Sequence, residues 1–221
     1  VAAERLADPV GHTPSSGATV LYSVITSSRD RTNQVFTGGE CGFSGMSENE
    51  HAELLPNVES FAEGVEIVED VAQQPGVETL EGRIGLLLQG EAMQSHFIEM
   101  PPGMFTPEHA HETESIIMTL RGEWVLCAEG DRRLMTAGDI FRFGPGVPTG
   151  YEVPPQFDEE ALVLVFKGER SDGSREGFVE YLTEEMNPQL EQERAEGTPF
   201  EFADLPEDHP AKAFAASLVD E

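Results

Sequence analysis

The sequence is short of positive charge. Among 221 residues there are 13 lysines and arginines against 42 aspartates and glutamates, a formal net charge of −29. Only two of the basic residues are lysines, Lys167 and Lys212. Such a field repels phosphate backbones and anionic lipid headgroups, which sets nucleic acid and membrane surfaces aside as partners. The acids are spread from Glu4 to Glu221 and do not gather in one block. That spread fits a solvating surface in a salt-rich cytoplasm, where screening confines self-repulsion to short range, better than a docking face for a basic partner.

Other absences narrow the field further. There are two cysteines, Cys41 and Cys127, at a separation that matches no metal or redox motif. No basic segment followed by an apolar run opens the chain, so no signal peptide is expected. No stretch approaches the roughly 18 consecutive apolar residues of a membrane span. Nothing resembles a nucleophile elbow, a P-loop or a dinucleotide fingerprint, and Gly144-Pro-Gly146 reads as a turn, not a phosphate cradle. A soluble cytoplasmic protein is the expectation.

What is present is a run of short strands. From about residue 80, β-branched and aromatic segments alternate with turn residues. They are Gly82 to Leu88, Gln94 to Met100, Ser115 to Leu120, Trp124 to Ala128, Arg132 to Met135, Ile140 to Phe143 and Leu162 to Phe166. Close, even spacing of this kind predicts an antiparallel sandwich or barrel over residues 61–168 and argues against a βαβ fold. Residues 1–60, rich in Gly, Ser, Thr and acids, read either as an irregular arm over the barrel or as a partly disordered one, with one short strand at Val20 to Ile25. Residues 169–221 turn helical. Phe178, Val179, Leu182 and Met186 form a stripe within Arg175 to Arg194, with Pro188 expected to break or restart the helix, and a second helix spans about Pro210 to Val219. These helices are expected outside the barrel or against a second subunit.

The chemistry concentrates at His109-Ala110-His111. Residues two apart on a strand share a face, so the two imidazoles lie side by side, and in a dry barrel interior such a pair can share a metal ion. By the same parity Glu108 and Glu112 point away, and only Glu114 in the following turn could swing inward, the alternative being that it faces solvent as most acids of so acidic a chain do. His96 reads as a buried core residue, and Phe105, Ile117, Trp124, Phe141 and Phe143 as mostly core.

The segment Gly103-Met-Phe-Thr-Pro-Glu-His109-Ala-His111, continuing to Gly122, resembles the first motif of the cupin superfamily. Gly138-Asp-Ile-Phe-Arg-Phe-Gly-Pro-Gly146-Val-Pro-Thr149-Gly-Tyr151 resembles the second. The resemblance covers about residues 80 to 167. It implies an all-β core, a double-stranded β-helix (jelly-roll) barrel, often a homodimer, with a divalent metal such as Fe, Mn, Ni or Zn in its mouth. Cupin metal sites usually have three histidines and one glutamate. Here the glutamate position holds Ser115 and the last histidine position Thr149, and a neutral hydroxyl is a weak ligand for metals that suit imidazole. With Glu114 as the third ligand, His109, His111 and Glu114 would have the two-histidine, one-carboxylate composition of many non-haem iron centres. Ser115, Thr149, Tyr151 and Arg121 are then candidate contacts for a small organic ligand. Two functions follow: a metal-dependent enzyme of oxygenase, isomerase or lyase type, or a binder or sensor that has kept the barrel and lost the metal.

Overall fold

The computed structural model describes residues 58–168 and 175–219; the expected arm, with its strand at Val20 to Ile25, lies outside them. Twelve strands occur in the first of these stretches: β1 (Val58–Ala62), β2 (Val65–Val68), β3 (Val77–Thr79), β4 (Gly82–Gln89), β5 (Met93–Met100), β6 (Phe105–Ala110), β7 (Ser115–Arg121), β8 (Glu123–Ala128), β9 (Asp131–Thr136), β10 (Ile140–Phe143), β11 (Pro148–Glu152) and β12 (Ala161–Gly168). Apart from the β1-β2 hairpin they build two antiparallel sheets, ordered β10-β7-β12-β5-β4-β3 and β6-β11-β8-β9.

The inner faces of the two sheets form the core. Strand alternation turns Ile117, Val163, Val165 and Met100 inward from the larger sheet, against Trp124, Met135 and Tyr151 from the smaller. The Trp124 indole N–H donates to Thr119 Oγ1 at 2.9 Å, so the largest core side chain carries no unpaired polar atom into the interior. At the β7-β8 corner Gly122 has φ +72°, and a Cβ there would lie 2.6 Å from the Glu160 carbonyl oxygen. Only glycine suits that turn.

Parts of the outer faces are covered by other described segments of the chain. Leu87, Phe97 and Leu162 pack against Val68, Val71 and Ala72. Phe105 points away from the barrel interior and meets Phe202, Leu205, Ala211 and Ala215 beside helix α3 (Pro210–Ser217). On the second sheet Glu152 is 1% exposed, and its carboxylate is held by Arg132 at 2.9 Å. Burial pushes the Glu152 carboxyl up despite the guanidinium that opposes the shift.

The helical stripe behaves differently from expectation. Helix α1 (Arg175–Glu180), a π-helical segment (Tyr181–Met186) and α2 (Asn187–Ala195) run on without a break. Pro188 has no N–H to offer the carbonyl four residues earlier, and the wider turn before it absorbs the defect: the Asn187 N–H reaches the Leu182 carbonyl, five residues back. Nor does this segment lie on the outside. Phe178 and Leu182 pack on Ile84 and Leu86, which share the inward face of the sheet with Ile98. The helix thus continues the core where the smaller sheet ends. His96 closes the seam, buried with its ring 5.5 Å from that of Phe178.

Leu182→Ala should lower stability by about 2–5 kcal/mol through the cavity left under β4, read as a lower urea midpoint at unchanged slope. Arg132→Ala should cost about 3–5 kcal/mol by stranding the buried Glu152 carboxylate, and Glu152→Gln on that background should recover a large part of the loss in the same denaturation assay.

Candidate functional site

The site lies where β6 and β11 meet the open end of the larger sheet. Thr149 pairs with His109 and Tyr151 with Thr106, so the register slips by one residue between them. Gly150 permits the slip: a Cβ there would sit 2.8 Å from the Thr106 carbonyl oxygen. The bulge turns His109, Thr149 and Tyr151 to the same side.

His109 is oriented by its own strand. Its Nδ1 lies 3.1 Å from the Pro107 carbonyl, which can only accept, so Nδ1 carries the proton and Nε2 faces the site. Nε2 is 3.9 Å from Glu81 Oε1, with the Glu81 side chain 16% exposed in the β3-β4 turn. Burial pushes the Glu81 carboxyl up, against the opposing pull of His109 and Lys167. His111 meets His109 edge to face at 4.5 Å and stacks on Phe143 at 5.2 Å. Burial, then Lys167 and His109, hold its pKa down to about 3, so it is neutral at ordinary pH. Ser115 and Thr149 are each 2% exposed. Thr149 Oγ1 shares a hydrogen bond of 3.2 Å with the Tyr151 hydroxyl, whose pKa burial raises.

The larger sheet contributes a continuous row. Phe143 pairs with Ser115, Ser115 with Lys167 and Lys167 with Gln94, so all four side chains share the inward face. Lys167 follows Val163 and Val165 by strand parity and brings an ammonium to the mouth of the barrel.

Of the expected site residues, His109, His111, Ser115, Thr149 and Tyr151 are brought together. Glu114 is not. Its carboxylate is bound by Arg142 at 2.7 and 2.9 Å, with both side chains more than half exposed. Arg142 projects from the outer side of β10, between inward-facing Phe141 and Phe143, and it draws Glu114 there. Arg121 is also elsewhere, at the far end of β7 from Ser115, where it joins Arg83 on Glu99. Burial works against ionisation of Glu99, but its two arginines prevail and hold its pKa below the usual carboxylate range. In their place stand two residues that sequence reasoning missed, Glu81 and Lys167. The scarcity of lysine was a usable signal for the second; Glu81 lies in a turn distant in sequence and gave none. The two cavities flanking the barrel, about 560 Å³ beside α3 and about 380 Å³ around Gly122 and Phe157, include none of these residues.

Residues 96–166 match the family described as Cupin domain. This part of the chain is a cupin domain. Among solved structures it is similar to a putative ethanolamine utilization protein Q from Salmonella typhimurium LT2, at 18% identity over 50% of this chain and 91% of that one, with a TM-score of 0.43. An RmlC-like cupin from Shewanella frigidimarina NCIMB 400 matches at 18% identity over 56% and 99%, TM-score 0.41. A Cupin 2 conserved barrel domain protein from Salinispora arenicola CNS-205 matches at 20% over 48% and 90%, TM-score 0.40. No curated protein matches the chain.

The donor set of this cupin domain does not fit the usual metal. Among the described residues no group of three or more His, Cys, Asp or Glu is placed to hold an ion. The glutamate position is Ser115, next in the row to the Lys167 ammonium, which disfavours a cation there. The last histidine position is Thr149, with its hydroxyl engaged by Tyr151. What remains is a polar cluster with one neutral imidazole, one imidazole facing a carboxylate, and several hydroxyls. Such a set can hold and orient a small molecule and exchange a proton at His109 Nε2.

The depressed His111 pKa has a measurable consequence. In imidazole NMR titrations His111 should stay neutral to about pH 4. Because its folded pKa lies below its unfolded value, the unfolded chain takes up the proton first. The His111 contribution to stability is therefore whole above about pH 6.5 and declines toward pH 3, by at most about 1.4 kcal/mol per pH unit.

Proposed function

We propose that the barrel mouth binds a small organic molecule through its side chains, as a cupin that works without a tightly held metal. One observation carries this reading. Both positions that would complete a metal shell hold inward, buried hydroxyls, Ser115 and Thr149. Hydroxyls at those places are poor ligands for a borderline metal but good partners for a ligand oxygen or nitrogen.

The neighbouring groups are suited to the same task. His111, neutral and stacked on Phe143, offers one donor and one acceptor without bringing a charge. His109 reaches solvent, with 35% of its side chain exposed, and stands at the entrance. Its Nε2 and the Glu81 carboxyl form a pair through which a proton can pass to a bound molecule. Phe143 and Tyr151, at the edge of the core cluster, are the apolar neighbours of these groups.

Elemental analysis of the purified protein should find substoichiometric metal, unchanged by chelator treatment. A ligand screen by thermal shift should still find small molecules that raise the midpoint, by about 2.7 kcal/mol of added stability at a hundredfold excess over Kd. His109→Ala should abolish that rise. One equivalent of metal that disappears in His109→Ala would overturn the reading and restore a metal centre.

A further inference from the structure

The hold of the C-terminal helix on the barrel includes one bond that depends on the charge of a single ring. Helix α3 buries two small side chains, Ala211 and Ala215, against Phe105, Phe202 and Leu205 outside the smaller sheet. Gln156 adds a bond, its Nε2 donating to the Ala215 carbonyl at 2.7 Å. His209 adds another from the N-cap of α3, where its Nδ1 accepts from the Ala211 N–H at 3.2 Å. The same ring meets Phe105 edge to face at 5.4 Å. A helix of eight residues is too short to persist in water unaided, so its order depends on these contacts.

An imidazole accepts at Nδ1 only while it is neutral; once protonated, both ring nitrogens are donors. The cap bond to Ala211 is then lost, and a cation faces the positive end of the helix. The surroundings of the ring mostly oppose that proton. Burial has the largest influence, followed by Arg132 of β9, whose own partner is Glu152 of β11. Lys212 in α3, paired with Glu207 at 3.1 Å, works in the same sense, and Asp208, next in the chain, pulls the other way. The balance lowers the His209 pKa from that of a free imidazole.

We propose that His209 is an acid-sensitive latch for α3: protonated, it releases Ala211, and the helix leaves the outer face of the smaller sheet. The release is bounded. The Phe105 N–H donates to the Phe200 carbonyl at 2.9 Å and the Phe202 N–H to the Gly103 carbonyl at 2.8 Å, so residues 200–202 stay in place. What moves is the helix, and with it the wall that Lys212, Ala215 and Ala216 give to the cavity of about 560 Å³. Docking is strongest above about pH 6.5, where the undocked ring is neutral too. It weakens as the pH falls further, because the undocked ring takes up the proton first. The Glu152 carboxyl, raised by burial, also gains its proton on the acid side, so the two groups have to be separated by experiment.

Hydrogen exchange of the Ala211–Ser217 amides in the full chain, corrected for intrinsic rate, reads the latch. Between about pH 7.5 and about pH 5.5 their protection should fall about tenfold more than that of β12. His209→Asn caps through an oxygen that does not titrate, so its α3 should be protected at the higher pH and keep that protection at the lower. His209→Ala should be poorly protected at both. In the wild type the Ala211 amide resonance should shift with the same midpoint as the His209 imidazole. Protection that is flat across the range in the wild type would overturn the latch. So would an equal fall in His209→Asn, which would assign the effect to Glu152 or another carboxylate, and so would an Ala211 amide indifferent to the titration of His209.

Discussion

The arrangement of this domain depends on the pairing of β12 with β5 and β7. Eight consecutive residues of β12 match β5 without a slip, and from Val163 to Lys167 the pairing with β7 is also continuous. Because side chains alternate at every residue, that register decides at once what is core and what is site. Val163 and Val165 are committed to the interior, and Lys167 must follow them. A one-residue slip would send the ammonium outward and bring Leu164 and Phe166 in. The polar mouth and the apolar core are therefore two ends of one strand, specified by a single pairing.

The second sheet answers with an irregularity. Its register between β6 and β11 is broken at Gly150, and that break lets His109 join Thr149 and Tyr151 on the inner side. A regular larger sheet thus faces a bulged smaller one. The first supplies Lys167, Gln94 and Ser115; the second supplies the imidazoles and the Thr149–Tyr151 pair. Glu81 arrives from neither barrel sheet face but from the turn that leads into β4. Beside the two histidines, buried hydroxyls stand at Ser115 and Thr149, the two positions where the family resemblance would put a glutamate and a third histidine.

Much of the fold was legible in the sequence because burial and alternation coincide in it. Strands such as Gln94 to Met100 and Ile140 to Phe143 were marked by their apolar residues and were found within a residue or two. Strands β1 and β2, mostly exposed, carry no such alternation and left no mark. Strand β11 begins with a proline and has a glycine at its centre, so it is not among the strands marked by an apolar or β-branched run. At the site, parity located the histidine pair, and the motif spacing singled out Ser115 and Thr149. Of the two readings of Glu114, the solvent-facing one holds, because Arg142, opposite in the fold, binds it at the surface. Pro188 misled, since a helix can widen by one residue per turn as well as stop.

The margins of the two sheets have a consequence of another kind. Each outermost strand presents unpaired backbone groups that could recruit a neighbouring chain. Here β3 is only three residues long and β10 only four. Strand β6 has Pro107 in its middle, which withholds one N–H. Strand β9 carries exposed Asp131 and Arg133 near its start, charges that resist burial against another strand. All four margins are blunted, each by a different device. Margins of this kind offer the edge of a second chain little uninterrupted length to pair with.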